Sequence, residues 1–465
     1  MDGTHSLNID SLRTSYAKGE ITPSAVVNQV YDRIESYPDK AVWIHLVPRE
    51  RALEAAAGLV NSHPNLESIP PLYGVPFSIK DSIDIAGIPT TVGCPSYAYT
   101  PEKTAHLVQK ILEAGGILIG KTNMDQFATG LTGHRSPYGT PRSVFDPDYI
   151  PGGSSSGSAV SVGSSQVSFS IGSDTAGSIR LPAVFNGVVG LKPTLGTVST
   201  VGVVPACKTA DCVSVLARSV ESAREVWQVI KGYDEEDVFA RPPQPIALLP
   251  FPKTIRFGIP PSDLLSVLSP SYAQLFSRCV DELSSTEIGL QKAQFDYSPF
   301  QSANGMLYGS SIVVQRLVAF DDYLKTHGMG QLHPVIKSIF ESSGKFDAIR
   351  AYQDIFELAL YKRQAAKQFE TNIDVLVVPS TVTHYTVSEV EQDPTGTNKM
   401  LGSFTQFVNL LDLCAIAIPT GNWTNHRGNL MPFGITLIAP AGRDAELMDL
   451  GARIMEHCRL NPHIV

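Results

Sequence analysis

Residues 152–180, GGSSSGSAVSVGSSQVSFSIGSDTAGSIR, crowd hydroxyls and glycines into one stretch. A serine hydroxyl is a weak nucleophile until a base takes its proton. Two ways of supplying that base suggest themselves, together with one pattern that points elsewhere. Gly153–Gly157 fits G-x-S-x-G, the nucleophile elbow, which needs a strand directly before it and an acid and a histidine after it. What precedes is SVFDPDYIPGG, a turn-rich approach. His327, His333, His384, His426, His457 and His463 follow, none in a setting that distinguishes it from a surface histidine. Gly115–Thr122, GGILIGKT, fits the phosphate-loop pattern and with it a non-enzymatic nucleotide binder. Its interior, Ile117, Leu118 and Ile119, is too apolar for an anion nest and reads as a strand that follows a helix. The remaining possibility is a lysine base. Lys80 ends the apolar run of GVPFSIKDSIDIAGIPTT, where its head can reach an interior site. Lysine titrates near 10.4, so this one must be desolvated to act as a base. Asp81 would oppose that, but neighbours in an extended chain point to opposite faces.

These side chains need a scaffold, and strand and helix patterns alternate along the whole chain, which makes the class α/β. Residues 8–60 read as helices, with Thr22-Pro23-Ser24 as a helix start. YGVPFSIKD (73–81) reads as a strand, TAHLVQKILEAGG (104–116) as a helix closed by glycine, and ILIGKT (117–122) as a buried strand. A helix follows near 218–232. Residues 233–254, rich in proline and acid, read as a surface connection before a strand at IRFGIP. Helices are expected at about 270–285, 301–325 and 345–370. IDVLVVPS, CAIAIPTG and FGITLIAP read as buried strands.

The chain has 465 residues, 43% hydrophobic and 17% charged, an ordinary globular make-up. A net charge of −9 argues against general affinity for nucleic acid or an anionic membrane. There is no apolar run of the ~18 residues needed to span a bilayer. MDGTHSLNIDSLRTSY has neither the basic region nor the apolar core of a signal peptide, so a cytoplasmic location is expected. Cys94, Cys207, Cys212, Cys279, Cys414 and Cys458 show no zinc spacing and read as reduced core thiols.

GGSSSGSAV…GSDTAGSIRLPAVFNGVVGLKPT resembles the signature block of the amidase signature family, and GVPFSIKD resembles its lysine segment. The resemblance runs through essentially the whole chain and implies one domain over 1–465, a large mixed twisted β-sheet flanked by helices on both faces. It implies a catalytic triad of Lys80, a serine in a cis peptide at Ser154, and the nucleophile Ser178. It implies no metal and no cofactor, a small-molecule amide substrate, and a homodimer. Thr175, Ala176, Gly177 and Ser178 lack bulk, so their N–H groups could converge on a developing oxyanion. Ser155, Ser156 and Ser158 read as triad partners or helix caps, with capping favoured for Ser158. Asp174 and Arg180 read as a structural ion pair.

MDQFATGLTGHRSPYGTPRSVFDPDYIPGGSSSGSAV, GVVPACKTADCVSVLARS, LGSFTQFVNLLDLCAIAIP and PFGITLIAPAGRD are similar to the amidase domain of allophanate hydrolases. That likeness implies a substrate carboxylate held by Tyr308 and Arg316 of LYGSSIVVQRLVAF, on one stripe of one helix, with Gly130 and Ala128 of FATG lending backbone groups. The chain departs from the pattern at SSIVVQR, where a Gly-Pro-aromatic segment and a glutamate are expected, and at Ala176 and Ile179. It ends soon after AGRDAELMDLGARIMEHCRL, so the second domain common in allophanate hydrolases is expected to be absent. The departures leave a different small amide, or a larger acyl amide, as alternatives. A further alternative is the amidase component of a transfer-RNA-dependent amidotransferase.

Overall fold

The computed structural model describes residues 5–242 and 250–460. Local chemistry sets several elements directly. Helix Pro23–Ser36 starts where Thr22 accepts the Ala25 N–H and proline occupies the first turn. Val26, Val27, Val30 and Ile34 then fall on its buried face. Helix His106–Glu113 is closed before Gly115, which sits at φ +90° with Tyr73 Cα 2.9 Å from where a Cβ would stand. Glycine alone takes that turn without strain. The strand expected at 117–122 begins two residues later.

The strands are β1 (Trp43–Leu46), β2 (Pro76–Lys80), β3 (Ile117–Thr122), β4 (Phe169–Asp174), β5 (Val189–Lys192), β6 (Cys212–Ala217), β7 (Arg256–Gly258), β8 (Gln291–Lys292), β9 (Val375–Pro379), β10 (Leu413–Thr424) and β11 (Leu430–Pro440). They form one mixed sheet in the order β1-β3-β2-β4-β6-β5-β10-β11-β9-β7-β8, flanked by helices. β2 lies parallel to both β3 and β4, with Ile79 beside Lys121 on one side and Ile171 on the other. Every residue of β2 and β4 is buried, as central strands covered on both faces must be. Phe77 stacks on Phe169 across the pair, centroids 5.4 Å apart. The three strands end at Lys80, Thr122 and Asp174, so side chains distant in sequence are delivered to one edge. The carboxyl ends of parallel strands are where open α/β sheets bind ligands.

Some expectations need correction. Residues 8–60 are not all helical: β1 lies among them, paired antiparallel to β3. The serine-rich stretch contains β4, a strand not expected there. The helix expected over 301–325 is broken. Ser298–Gly309 is helical, Ser310 is extended, a 3₁₀ turn spans Ser311–Val314, and short helices follow at Gln315–Ala319 and Asp321–His327. Ser310 makes the break by donating to Met306 C=O and accepting the Ile312 N–H. In the connection at 233–254, Val238 is exposed, but Asp237 is buried and accepts from Thr200; residues 243–249 lie outside the described residues. None of the described helices is long and apolar enough to cross a membrane.

Two glycines test this packing in opposite senses. A Cβ on Gly157, in helix Ser156–Gly163, would lie 2.2 Å from Val42 O and 2.7 Å from Asn123 N, both backbone. Gly157→Ala is expected to lose at least about 1–3 kcal/mol. Gly58, in helix Arg49–Ser62, has nothing within 4 Å of its Cβ position. Gly58→Ala is expected to gain about 0.5–1 kcal/mol. Urea midpoints of the two variants should move in opposite directions.

Candidate active site

Lys80 is fully buried at the end of β2. Its ammonium donates to Ser154 Oγ at 2.8 Å and Ser173 Oγ at 3.0 Å, with Ser173 C=O at 3.4 Å. Burial lowers its pKa to about 8, against the pull of Asp125, Asp211 and Asp174. Asp81 does turn to the other face, as strand alternation requires. It pairs with the buried Lys121 at 3.1 Å and accepts from Thr91. That pair also disposes of the phosphate-loop pattern: Lys121 sits inside strand β3, bonded to Asp81 and Thr90, not beside a flexible glycine loop.

The Gly153–Ser154 peptide bond is cis. The segment is clamped from both sides: Gly153 N–H donates to Leu131 C=O, and Ser154 C=O accepts the Asp125 N–H. A Cβ on Gly153 would stand 2.1 Å from Asp125 Oδ2, so only glycine admits that carboxylate. Asp125 is itself engaged, accepting from the amides of Gly133 and Arg135.

Ser178 lies in the turn after β4. Asp174 organises that turn, accepting the N–H groups of Gly177 and Ile179 and a two-point ion pair from Arg180. Arg180 also donates to Thr405 C=O and Asn409. Both partners are fully buried, so the pair is structural, as read from the sequence. Gly177 has φ +118°, and a Cβ there would meet Thr405 Oγ1 at 2.7 Å. The Gly177 amide is therefore occupied by Asp174, whereas those of Thr175, Ala176 and Ser178 have no partner among the described residues. Ser155 N–H donates to Ser178 C=O at 3.3 Å, which ties the two serine segments together. Ser178 Oγ has no hydrogen-bond partner among the described residues, so the Lys80–Ser154 contact is made and a Ser154–Ser178 one is not.

Ser158 does not cap its helix. Its hydroxyl pairs with Thr122 Oγ1 at 2.6 Å. His384 is not a surface residue: it stacks on Phe185 at 3.7 Å, bonds Ile150 C=O, and burial drives its pKa down to about 4.

Tyr308 and Arg316 meet despite the broken helix, Nη2 lying 3.3 Å from the phenol oxygen. Arg316 is fully buried, its Nε reaching Thr129 Oγ1 at 3.3 Å, and Nη1 has no hydrogen-bond partner among the described residues. Thr129 sits between Ala128, at φ +51°, and Gly130. A Cβ on Gly130 would lie 2.6 Å from Asp125 Oδ2, so this glycine also makes room for that acid. Sequence reasoning missed Ser173, Asp125, Asp211, Thr129 and Arg135. None of them carried a usable signal: even with β4 recognised, the pairing of Ile79 with Ile171 would set Ser173 on the Ile79 face, not on that of Lys80.

The amidase family model matches residues 25–448. The chain belongs to the amidase family. Urea amidolyase of Saccharomyces cerevisiae is 38% identical over 90% of this amidase, which spans only 22% of that longer protein. The structure of allophanate hydrolase from Kluyveromyces lactis superposes with TM-score 0.87 at 36% identity, covering 97% of this chain and 73% of that one. A glutamyl-tRNA(Gln) amidotransferase component of Natranaerobius thermophilus is 30% identical over 97% of this chain and 95% of its own length.

The Asp174–Arg180 pair yields a stability prediction. Arg180 holds the Asp174 carboxyl down at about 2. A depressed acid stabilises the fold above its ordinary titration range and loses that contribution as pH falls through its native value. Arg180→Met leaves the acid buried and alone, which should cost about 3–5 kcal/mol at neutral pH. The deficit should narrow when unfolding is measured near pH 3.

Proposed function

We propose that this amidase hydrolyses a small carboxylate-bearing amide of the allophanate type through an acyl-enzyme on Ser178. The observation that carries the reading is the 2.8 Å contact between Ser154 Oγ and a buried Lys80 whose pKa burial brings to about 8. In its neutral form Lys80 takes the Ser154 proton while Ser154 takes that of Ser178. The freed Ser178 oxygen attacks the amide carbon. Contacts of this kind are commonly long without substrate and tighten when it binds. The unpartnered amides of Thr175, Ala176 and Ser178 are the candidates to receive the oxyanion; Gly177 serves the turn instead. Collapse of the tetrahedral species breaks the C–N bond, and Lys80 returns its proton through Ser154 to the departing ammonia. Water then attacks the acyl carbon by the same relay and releases Ser178.

The acyl side is assigned to Tyr308 and Arg316. A guanidinium fork suits a carboxylate, and Arg316 has an unmatched N–H edge in a dry setting. Ala128 and Gly130 bracket the Thr129 that orients it. The names of the yeast relatives, urea amidolyase and allophanate hydrolase, agree with a small ureido carboxylate. The amidotransferase relative keeps glutamine as the comparison substrate.

Ser178→Ala and Lys80→Met are each expected to abolish ammonia release with melting temperature little changed. Because Lys80 must lose its proton to act, kcat/KM should rise about tenfold per pH unit below about 8 and level off above it. Arg316→Met should raise KM for allophanate or malonamate at least tenfold and leave simple neutral amides unaffected. Equal losses on both substrate types would remove the carboxylate assignment, and turnover of glutamine alone would favour the amidotransferase reading.

A further inference from the structure

In the reaction proposed above, Lys80 ends each turnover with a proton to lose. Ammonia has left before deacylation begins, so it cannot carry that proton away. The relay returns a hydrogen to Ser178, and the newly formed acid then stands within reach of a neutral lysine. Free carboxyls titrate at about 4, and Lys80 at about 8. The acid O–H bond therefore breaks, an N–H bond forms on the amine, and the product departs as a carboxylate. A fully buried ammonium cannot shed its proton into solvent directly. Its neighbours limit the routes. Asp81 faces away and pairs with Lys121. Asp125, Asp174 and Asp211 are bonded elsewhere, and none forms an ion pair with Lys80 among the described residues. Ser154 leads back to the nucleophile. The Ser173 C=O accepts a hydrogen bond but has no proton to pass on. The Ser173 hydroxyl, 3.0 Å from Nζ, can do both, since it accepts one hydrogen and donates another.

Ser173 also lines a cavity of about 250 Å³ that Lys80, Ser154 and Ser178 do not line. Val213, its partner across the β4–β6 pair, and Val201 supply apolar wall. The exposed Lys208 and Glu236 stand at the cavity too, so it reaches solvent. Such a volume holds several waters. Its acids, Asp211, Glu236 and Asp237, outnumber its one lysine, which favours a positive charge moving through it. Asp211 and Asp237 are occupied by hydroxyl and amide donors, so they bias the path without trapping the proton.

We propose, on the footing of the Ser178 relay above, that the Ser173 hydroxyl is the proton exit of this amidase. Ser173 Oγ takes a proton from Lys80 Nζ and gives its own to water in the cavity. One N–H bond breaks, one O–H bond forms on water, and the hydroxyl ends as it began. The amine is left neutral for the next substrate, and the excess proton passes along the waters to solvent.

Valine and threonine have nearly the same shape and both suit a strand, so Ser173→Val and Ser173→Thr differ in the hydroxyl alone. The test is ammonia release from malonamate by rapid quench, above the Lys80 pKa, where the lysine starts neutral. Ser173→Val should release one ammonia per active site in a fast first turnover and then cycle at least about tenfold more slowly. Ser173→Thr should cycle like the unmodified chain. Val201→Trp keeps the Ser173 hydroxyl but fills the cavity, and it should show the same split between first and later turnovers. Melting temperatures establish that each variant is folded, and Val201→Trp decides alone if Ser173→Val is not. The exit is overturned if Ser173→Val slows first and later turnovers alike, which would make the hydroxyl a support for Lys80 only. It is equally overturned if Ser173→Val cycles at the unmodified rate, if Ser173→Thr is as slow as Ser173→Val, or if folded Val201→Trp shows no split. Ammonia release by Ser178→Ala would instead remove the relay itself, a separate result.

Discussion

The site depends on keeping an ammonium dry without giving it a carboxylate. Lys80 has acids near enough to raise its pKa, yet desolvation prevails, because each acid is already engaged. Asp81 faces away and pairs with Lys121. Asp125 accepts two backbone amides. Asp174 is held by Arg180. Asp211 accepts the Thr175 hydroxyl and the amides of Ala206 and Cys207. A direct ion pair would have fixed Lys80 in its charged form. Its contacts are hydroxyls and a carbonyl, which tolerate either protonation state of the amine.

The same acids shape the backbone around the proposed nucleophile. Asp125 presses so close to Gly153 and Gly130 that no side chain fits at either position, and Asp174 folds the turn that presents Ser178. The glycines of this region are therefore places where a charged side chain approaches the backbone. They are not sites of looseness. The register of β2 between β3 and β4 carries the rest, because a one-residue slip would send Lys80 to the face that Asp81 now occupies.

Much of this was legible in the residues. Strand 117–122 and the helix before it follow from local patterning and a glycine stop, and Lys80, Ser154 and Ser178 stand in long motifs. What escaped was determined by tertiary contact. β4 was not assigned from the sequence because FSIGSD lies in a stretch rich in serine and glycine, yet its Ser170 hydroxyl pairs with Ser78 inside the sheet. The alternation of Val167, Phe169 and Ile171 with Ser168, Ser170 and Gly172 is present but is hidden among the surrounding serines and glycines. Ser158 looks like a cap because caps are made of serine; its partner, Thr122, lies on strand β3 and could not be inferred from spacing. Ser173 escaped because alternation along β4 sets it on the Ile79 face, not on that of Lys80.

The broken helix shows why such tertiary facts matter to the site. Tyr308 and Arg316 are eight residues apart. In one continuous helix that separation is about 12 Å along the axis, and the phenol and guanidinium would sit at opposite ends of two turns. Ser310 stops the first helix, and the chain re-enters through a tight 3₁₀ turn, which brings the two groups within 3.3 Å. Asp354 holds the turn from behind by accepting the Ser311 N–H. The carboxyl therefore has a reason to be buried in helix Ala348–Thr371: it fixes the bend that aims Arg316.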